Sequence, residues 1–447
     1  MIQAAIPEAV KLMHEGVLAL SQVEANGARI DVDYLDRTIE EVTATIEELT
    51  ANLQSSKVYK IWKKSFGSKF NLDSNQQLAH VLFKKMGFVS EEFTNRGDPS
   101  TDESNLKRIN HPFIPDYLQL KKLKKLLSTS LKGVRREVVD GYLHTVFNLH
   151  LVKSYRSSSD SPNFQNIPIR NKEIASYIRR AFIPRDGNYI LEIDYGQIEV
   201  RGSVCYHKDP TMLQYILDDH DFHLDFARKC FRMKAEEVSK PVRQVSKNGF
   251  VFPCFYGSFF GQIAPAIWET IEIEQLETAQ GVGLYRHLKE KKIRTLEQFT
   301  EHIKNVESYL WDVSFPGYRD WKKSFFNRYQ SRGWFKLKTG FVVHGYCTRK
   351  EVCNYPIQGS SFHCLLWSLI RLNKWLRKHK MRTKIIGQIH DSIILDVHPS
   401  ELQDVLESAK RIMTEDIRRA WSWIITPLVV EAEMSETNWF EKKGIKI

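Results

Sequence analysis

The sequence predicts an α+β fold, and three observations predict it. Apolar runs of strand length fall at Tyr189–Asp194, twice within Lys384–Val397, and at Leu428–Met434. Between the first two regions, residues 205–345 read mostly as helix, and much of the first 140 residues does too. There is no internal repeat. Strands set apart by large helical insertions make a sheet with helices gathered around it.

The elements follow in order. Residues 1–25 read as an amphipathic helix with apolar Val10, Leu12, Met13, Val17, Leu18 and Leu20. Asn26-Gly27 then turns the chain into a short strand, Ala28–Val32. Asp33 is the expected N-cap of a helix reaching about Asn52. After a basic aromatic patch, Lys57–Lys69, a helix is expected over Ser74–Met86 with Gly87 at its end, then a loop over Ser90–Pro99. Residues 115–139 read as a helix carrying Lys121, Lys122, Lys124, Lys125, Lys132, Arg135 and Arg136. Leu143–Leu151 is strand-like, and Ser157–Pro162 is rich in turn formers. Near the end, the tight polar turn His390-Asp391 joins two strands, and a helix of residues 400–423 precedes the strand Leu428–Met434.

Composition limits the class. At about 100–200 residues per domain, 447 residues make two to four domains or one multi-lobed one. A content of 42% hydrophobic and 27% charged residues excludes disorder and a disulfide scaffold. The 65 Lys and Arg against 54 Asp and Glu leave a net charge of +11, which favours a polyanionic partner. The six cysteines form no CxxC pair and read as core thiols of a reducing compartment. Met1–His14 carries Glu8 and Lys11 and lacks the apolar core of a signal peptide, so a cytoplasmic location is expected. Asn248–Trp268 lacks charged residues, but Pro253, Pro265 and three glycines interrupt it. A membrane span needs about 20 predominantly apolar residues, so a buried helix plus turn is predicted instead, and no membrane association.

The chemistry lies in three segments. In Leu191-Glu192-Ile193-Asp194-Tyr195-Gly196-Gln197-Ile198-Glu199-Val200-Arg201, Asp194 ends a strand. In Gln388-Ile389-His390-Asp391-Ser392, Asp391 sits at a hairpin tip. Two carboxylates brought together on neighbouring strands repel unless a cation lies between them. Hard oxygen donors suit Mg²⁺, which retains waters and takes substrate phosphates. Alone, either aspartate reads as a turn cap. The third segment, Arg243-Gln244-Val245-Ser246-Lys247, puts two cations four residues apart on one helical face, with Phe252 and Tyr256 beyond. Such a helix can hold a triphosphate and stack a base.

Together these segments resemble motifs A, B and C of family A DNA polymerases, the DNA polymerase I type. Asp160-Ser161-Pro162-Asn163-Phe164-Gln165-Asn166-Ile167-Pro168-Ile169-Arg170 resembles the segment before motif A. Asn354-Tyr355-Pro356-Ile357-Gln358-Gly359 resembles the Asn-x-Pro-x-Gln-Gly element, and Asp221-Phe222-His223 the Asp-x-His that follows motif A. Glu24–Asp31 and Ser100-Thr101-Asp102 fit the start and thumb of that domain. The likeness covers nearly the whole chain, in order.

The resemblance implies a right-hand fold with an antiparallel palm sheet (1–33, 141–204 and 351–447), a helical thumb (34–140) and helical fingers (205–350). It implies template-directed addition of dNTPs to a primer 3′-hydroxyl on primer–template DNA. Asp194 and Asp391 would ligate two Mg²⁺ ions, with Mn²⁺ as a substitute, and the Tyr195 carbonyl would complete one shell. Arg243, the catalytic Lys247 and His223 would hold the triphosphate. Gln197 and Glu199 would line the nucleotide site, with Glu199 under the sugar at C2′, and Tyr256 would gate closure. Arg156, Gln165, Asn166, Arg201, Asn354, Gln358 and His390 match positions that touch DNA. A monomer is expected, with an exonuclease or other replication proteins as possible partners, because no exonuclease sequence precedes the thumb.

The sequence departs from the pattern in places. Ser392 stands where motif C usually has Glu, and Gly196 where motif A more commonly has Ser. Motif B has one extra residue between Lys247 and Tyr256. Counting from Lys247 puts the stacking position at Val251, and counting back from Tyr256 puts it at Phe252. An aromatic stacks better, so Phe252 is preferred, with a π-bulge absorbing the extra residue. Ile271–Phe299 is additional fingers sequence. These departures favour a phage-type relative. The alternatives are a single-subunit RNA polymerase and a catalytically silent primer–template-binding subunit.

Overall fold

The computed structural model describes residues 7–94 and 96–447. Its centre is a five-stranded sheet of β1 (Tyr189–Tyr195), β2 (Lys384–Ile389), β3 (Ser392–Val397), β4 (Val430–Ser435) and β5 (Lys443–Ile445). The order is β5-β4-β1-β3-β2, and every neighbouring pair is antiparallel. β1 is therefore central, which is why Ile190, Leu191 and Ile193 are all buried. Asp194 lies at the end of this central strand rather than at the sheet's edge. At the other end of β3, buried Asp396 accepts from the Arg185 guanidinium at 3.0 Å and from the Arg185 amide at 2.9 Å.

Helices surround the sheet. α1 (Glu8–Asn26) and α2 (Val32–Ser55) are joined by the strand Ala28–Arg29. The first six residues of the predicted N-terminal helix lie outside the described residues. The strand is shorter than expected because Asp31, not Asp33, caps α2: its carboxylate accepts from the Tyr34 amide at 2.9 Å, so Val32 is already helical. The basic patch after α2 is itself a helix, Lys57–Phe66. α3 (Phe113–Lys125) continues through a π-helical turn to Glu137. The predicted strand over 143–151 is smaller, Val146–Asn148, and it pairs with Ser158–Asp160, inside the segment read as turn.

The central region contains α4 (Ile198–His207), α5 (Phe222–Phe231), α6 (Lys240–Val245), α7 (Phe252–Phe255), α8 (Phe260–Glu274), α9 (Leu296–Ser308) and α10 (Pro316–Arg332). α11 (Arg349–Lys378) follows, a 30-residue helix buried on nearly all sides. Gly359 permits this packing, since a Cβ there would sit 2.3 Å from the Ser154 carbonyl oxygen. Among the described residues no helix is long and apolar enough to cross a membrane. Asn248–Trp268 is two helices broken at the turn between Phe255 and Phe260.

Three apolar cores divide the molecule. One lies around the sheet, α1 and α11; a second joins α5–α10 around Phe226, Phe250 and Phe315; a third spans Leu53–Leu120 around Trp62 and Tyr117. α4, which leaves the end of β1, gives Ile198 and Cys205 to the first and Val200 and Val204 to the second. Leu35, Val42, Leu123, Leu126, Leu131 and Val134 pack with the sheet core, so only the outer part of residues 34–140 has a core of its own. All six cysteines are buried free thiols.

Candidate active site

Strand register brings the two aspartates together. Asp194 is paired with Ser392 across β1 and β3, and Asp391 immediately precedes Ser392 at the hairpin tip. The Tyr195 amide donates to the Asp391 carbonyl at 3.1 Å, fixing the tip against β1. The tip is braced from below. Gln388 donates from Nε2 to the His390 carbonyl at 2.9 Å, and its Oε1 accepts from Ser157 and from Gln165, both at 2.8 Å. Burial and the neighbouring charges of Asp391, Glu192 and Glu431 push the Asp194 carboxyl well above its ordinary range. Burial and Glu199 push Asp391 up as well.

The donor set fits a divalent cation. Two carboxylates pressed together, each raised by the other acids around it, are a site built for positive charge. Among the described residues no group of three or more His, Cys, Asp and Glu side chains is arranged to hold a metal. Mg²⁺ can be held by one or two carboxylates plus waters and substrate phosphates. Ser392 adds no acid: it is buried and donates to the Ile389 carbonyl at 3.1 Å. A Cβ at position 196 would lie 2.7 Å from Val429 Cγ2, which accounts for Gly196.

A cavity of about 270 Å³ opens beside Asp391. Arg156, Gln197, Glu199, Phe252, Tyr256, Asn354, Gln358 and His390 line it with Asp391. Glu199, on α4, accepts a hydrogen bond from the Tyr256 hydroxyl, and Arg156 Nη1 lies 3.6 Å from its other oxygen. The Tyr256 carbonyl accepts from Asn354 Nδ2 at 3.0 Å. Tyr256 thus bridges the helical lobe to the sheet lobe. Burial, with Arg156 and Arg170 nearby, lowers the His390 pKa.

The cationic side comes from α5 and from the helix running through α6 and α7. Between α6 and α7, Ser246–Val251 is π-helical, so one extra residue is accommodated and residues five apart become neighbours. Lys247 Nζ accordingly lies 5.4 Å from the Phe252 ring centroid. Val251 is fully buried, whereas Phe252 reaches the cavity. Arg243 makes a bidentate pair with Asp221, at 2.7 and 2.8 Å. His223 is buried, and neither ring nitrogen has a hydrogen-bond partner. Burial, with Lys247 and Arg243 beside it, lowers its pKa to about 3, so the ring is neutral. Burial and Arg243 also lower Lys247.

One expected DNA contact is placed elsewhere. Arg201 is buried, and its guanidinium donates to the carbonyls of Gly196 at 3.1 Å and Pro427 at 2.9 Å. It braces the end of β1 because the first turn of α4 points it inward. Gln165 is spent partly on Ser157 and Gln388. Asn166 is exposed on the adjoining turn. Sequence reading missed Glu431, opposite Asp194 on β4. The alternation Val430-Glu431-Ala432-Glu433 was its signal, since directly opposed residues share a face. It also missed Lys322, discussed below.

A sheet with paired carboxylates, beside a cavity walled by a helix that also carries two cations, and flanked by two helical lobes, defines the right-hand polymerase class. The chain belongs to DNA polymerase family A, whose model matches residues 33–441. It is similar to DNA polymerase I of Lactococcus lactis subsp. cremoris, 29% identical over 439 residues, covering 97% of this chain and 46% of that protein. It is also similar to the DNA polymerase of Bacillus phage SP01, 28% identical over 377 residues, covering 80% of this chain and 38% of that one. The chain spans less than half the length of these curated relatives. Among solved structures, the POL domain of Pol1 from M. smegmatis, in complex with DNA primer-template and dNTP, shares the fold. The TM-score is 0.77 at 22% identity, over 96% of this chain and 70% of that one.

Proposed function

We propose that this chain is a template-directed DNA polymerase that adds dNTPs to a primer 3′-hydroxyl. The observation that carries the reading is the convergence of Asp194 and Asp391 at one end of the sheet, beside a cavity that Asp391 lines together with Phe252 and Tyr256 from the rod bearing Arg243 and Lys247. The family match and the named ligands of the M. smegmatis relative support it. Ser392 and the extra residue of motif B support a phage-type relative within the family.

Asp194, Asp391 and the Tyr195 carbonyl would hold divalent cations, which when bound supply Lewis-acid stabilisation of attacking and leaving oxygens. The chain's own residues do the rest by positioning and charge. Arg243 and Lys247 take the triphosphate, and His223, neutral and unpartnered, donates one N–H to it. Phe252 stacks beside the nucleotide. Glu199 and Tyr256, joined to one another, wall the sugar side of the cavity, where a ribose 2′-hydroxyl would break their hydrogen bond. Arg156, His390, Asn354 and Gln358 face the primer terminus and its pair. The minor groove offers acceptors that all correct pairs share, so contacts there test shape without reading sequence.

The test is primer extension with Mg²⁺ and dNTPs or rNTPs, alongside 3′-labelled DNA to detect exonuclease. Metal-dependent incorporation of dNTPs is expected. Binding of primer–template without extension would make the chain a silent subunit, and preference for rNTPs would make it an RNA polymerase.

A further inference from the structure

Lys322, on α10, reaches into the molecule at the C-terminal end of α7. Its Nζ donates to the carbonyls of Cys254 at 3.1 Å and Phe255 at 2.9 Å. These are carbonyls of the helix's last turn, immediately before Tyr256, where the regular intrahelical ladder runs out; the Cys254 carbonyl also accepts from the Gly257 amide at 3.1 Å. The ammonium also lies 4.2 Å from the Trp311 ring centroid and 4.6 Å from that of Tyr318. Among the described residues it forms no ion pair with a carboxylate. A buried charge without a counter-ion is costly. Here the negative end of a helix and two aromatic faces take the place of the counter-ion.

The surroundings are specific. Cys254 on α7, Cys353 and Arg349 on α11, Glu307 on α9, His207 on α4 and Tyr318 on α10 itself are the titratable and charged groups around the ammonium. Glu307 is engaged elsewhere, accepting from the Phe260 amide at 2.6 Å. Cys353 Sγ contacts the Lys322 carbonyl at 3.9 Å, tying α10 to α11. Tyr256 is therefore held from two sides. Glu199 and Asn354 hold its hydroxyl and carbonyl from the sheet lobe, and Lys322 holds the two residues before it from α10.

We infer that Lys322 is a positioning residue for nucleotide incorporation: its ammonium pins the C-terminal end of the helix that carries Arg243, Lys247 and Phe252, and so sets where Tyr256 stands over the nucleotide cavity. It touches no reacting atom and acts through the helix. The inference rests on the polymerase reading of that helix. Burial lowers the Lys322 pKa to about 8, within reach of an ordinary assay. Below that pH the group is an ammonium; above it the charge that holds the helix end is lost.

The experiment is single-nucleotide incorporation by the wild type, Lys322→Met and Lys322→Arg, from pH 7 to pH 9, with primer–template affinity and melting temperature measured in parallel. If Lys322→Met removes the pin, KM for the correct dNTP rises on the order of tenfold or more, the size of one charge-assisted hydrogen bond. Discrimination against a mismatched dNTP falls, and primer–template affinity is unchanged. In the wild type KM climbs as pH passes about 8; in Lys322→Arg it stays low across the range, because arginine keeps its charge. Wild-type KM and discrimination in Lys322→Met, or an undiminished pH climb in Lys322→Arg, would overturn the inference. Should Lys322→Met fail to fold, the wild type and the arginine variant decide by their pH profiles. Failure of the wild type to incorporate any nucleotide would instead sink the polymerase reading, and is seen separately.

Discussion

Asp194 and Asp391 stand at the ends of strands whose hydrogen-bond ladders fix them to one register, with Tyr195, Gln388 and the pair of buried Asp396 with half-buried Arg185 bracing both ends. Arg243 and Lys247 stand on a helix that belongs to a different apolar core. Among the described residues, side-chain links such as Tyr256–Glu199 and Asn354–Tyr256 tie that helix to the sheet lobe across the cavity. A ladder resists displacement because a one-residue slip would turn every side chain of the strand over. A lobe with its own core can move as a body when a few bonds between the lobes change. The acids are therefore the fixed half of the site and the cations the movable half. Substitutions on the two sides are expected to fail differently.

The largest effect is expected on the fixed side. Asp391→Asn keeps the hairpin but removes a carboxylate, so single-turnover extension is expected to fall about 10³-fold or more, with primer–template affinity nearly intact. Unchanged turnover would remove Asp391 from the chemistry. Next comes Lys247→Ala, expected to lower kcat/KM for dNTP by about 10²-fold. If its effect on turnover equalled that of Asp391→Asn while KM stayed put, the division into fixed and movable halves would be wrong. Glu199→Ala removes a wall of the cavity, proposed above to take the sugar, and one tie between the lobes together. Incorporation of rNTP relative to dNTP should rise about tenfold or more, and an unchanged ratio would take Glu199 out of sugar selection. The smallest effect belongs to Tyr256→Phe, which deletes only the hydroxyl bonded to Glu199. One hydrogen bond is worth about 1 kcal/mol net, so a several-fold rise in dNTP KM is expected with the sugar ratio little changed. Comparing it with Glu199→Ala separates the tie from the wall.

The same contrast explains what was legible in the sequence. β1, β2 and β3 are short apolar runs that close on carboxylates at the hairpin end, so both the strands and the acids could be read directly. Ser158–Asp160 could not be, because a serine-rich segment reads as turn until Val146–Asn148 is beside it. α11 left no amphipathic stripe to find: it is buried almost all round, and Pro356 and Gly359 interrupt it. Its role was visible only through the resemblance of Asn354–Gly359 to a known element. Arg201 matched a DNA-contact position through the family resemblance, yet the packing of α4 against β1 turned it inward. Lys322 gave no local signal, because what makes it notable is the end of another helix arriving beside it. Asp31 and Asp33 both fit an N-cap by type, and only backbone geometry chose between them.

The wide turn at Ser246–Val251 has a consequence for how this lobe can change over time. It keeps Lys247 and Phe252 neighbours on one side of the rod although five positions separate them. Each residue of a regular helix advances the chain by about 100°. Four residues of regular helix turn through about 400°, so losing one residue from this stretch would return the rod to regular helix with Lys247 and Phe252 still on one face. A deletion of three nucleotides from the gene would thus do less harm here than in a stretch that is already regular.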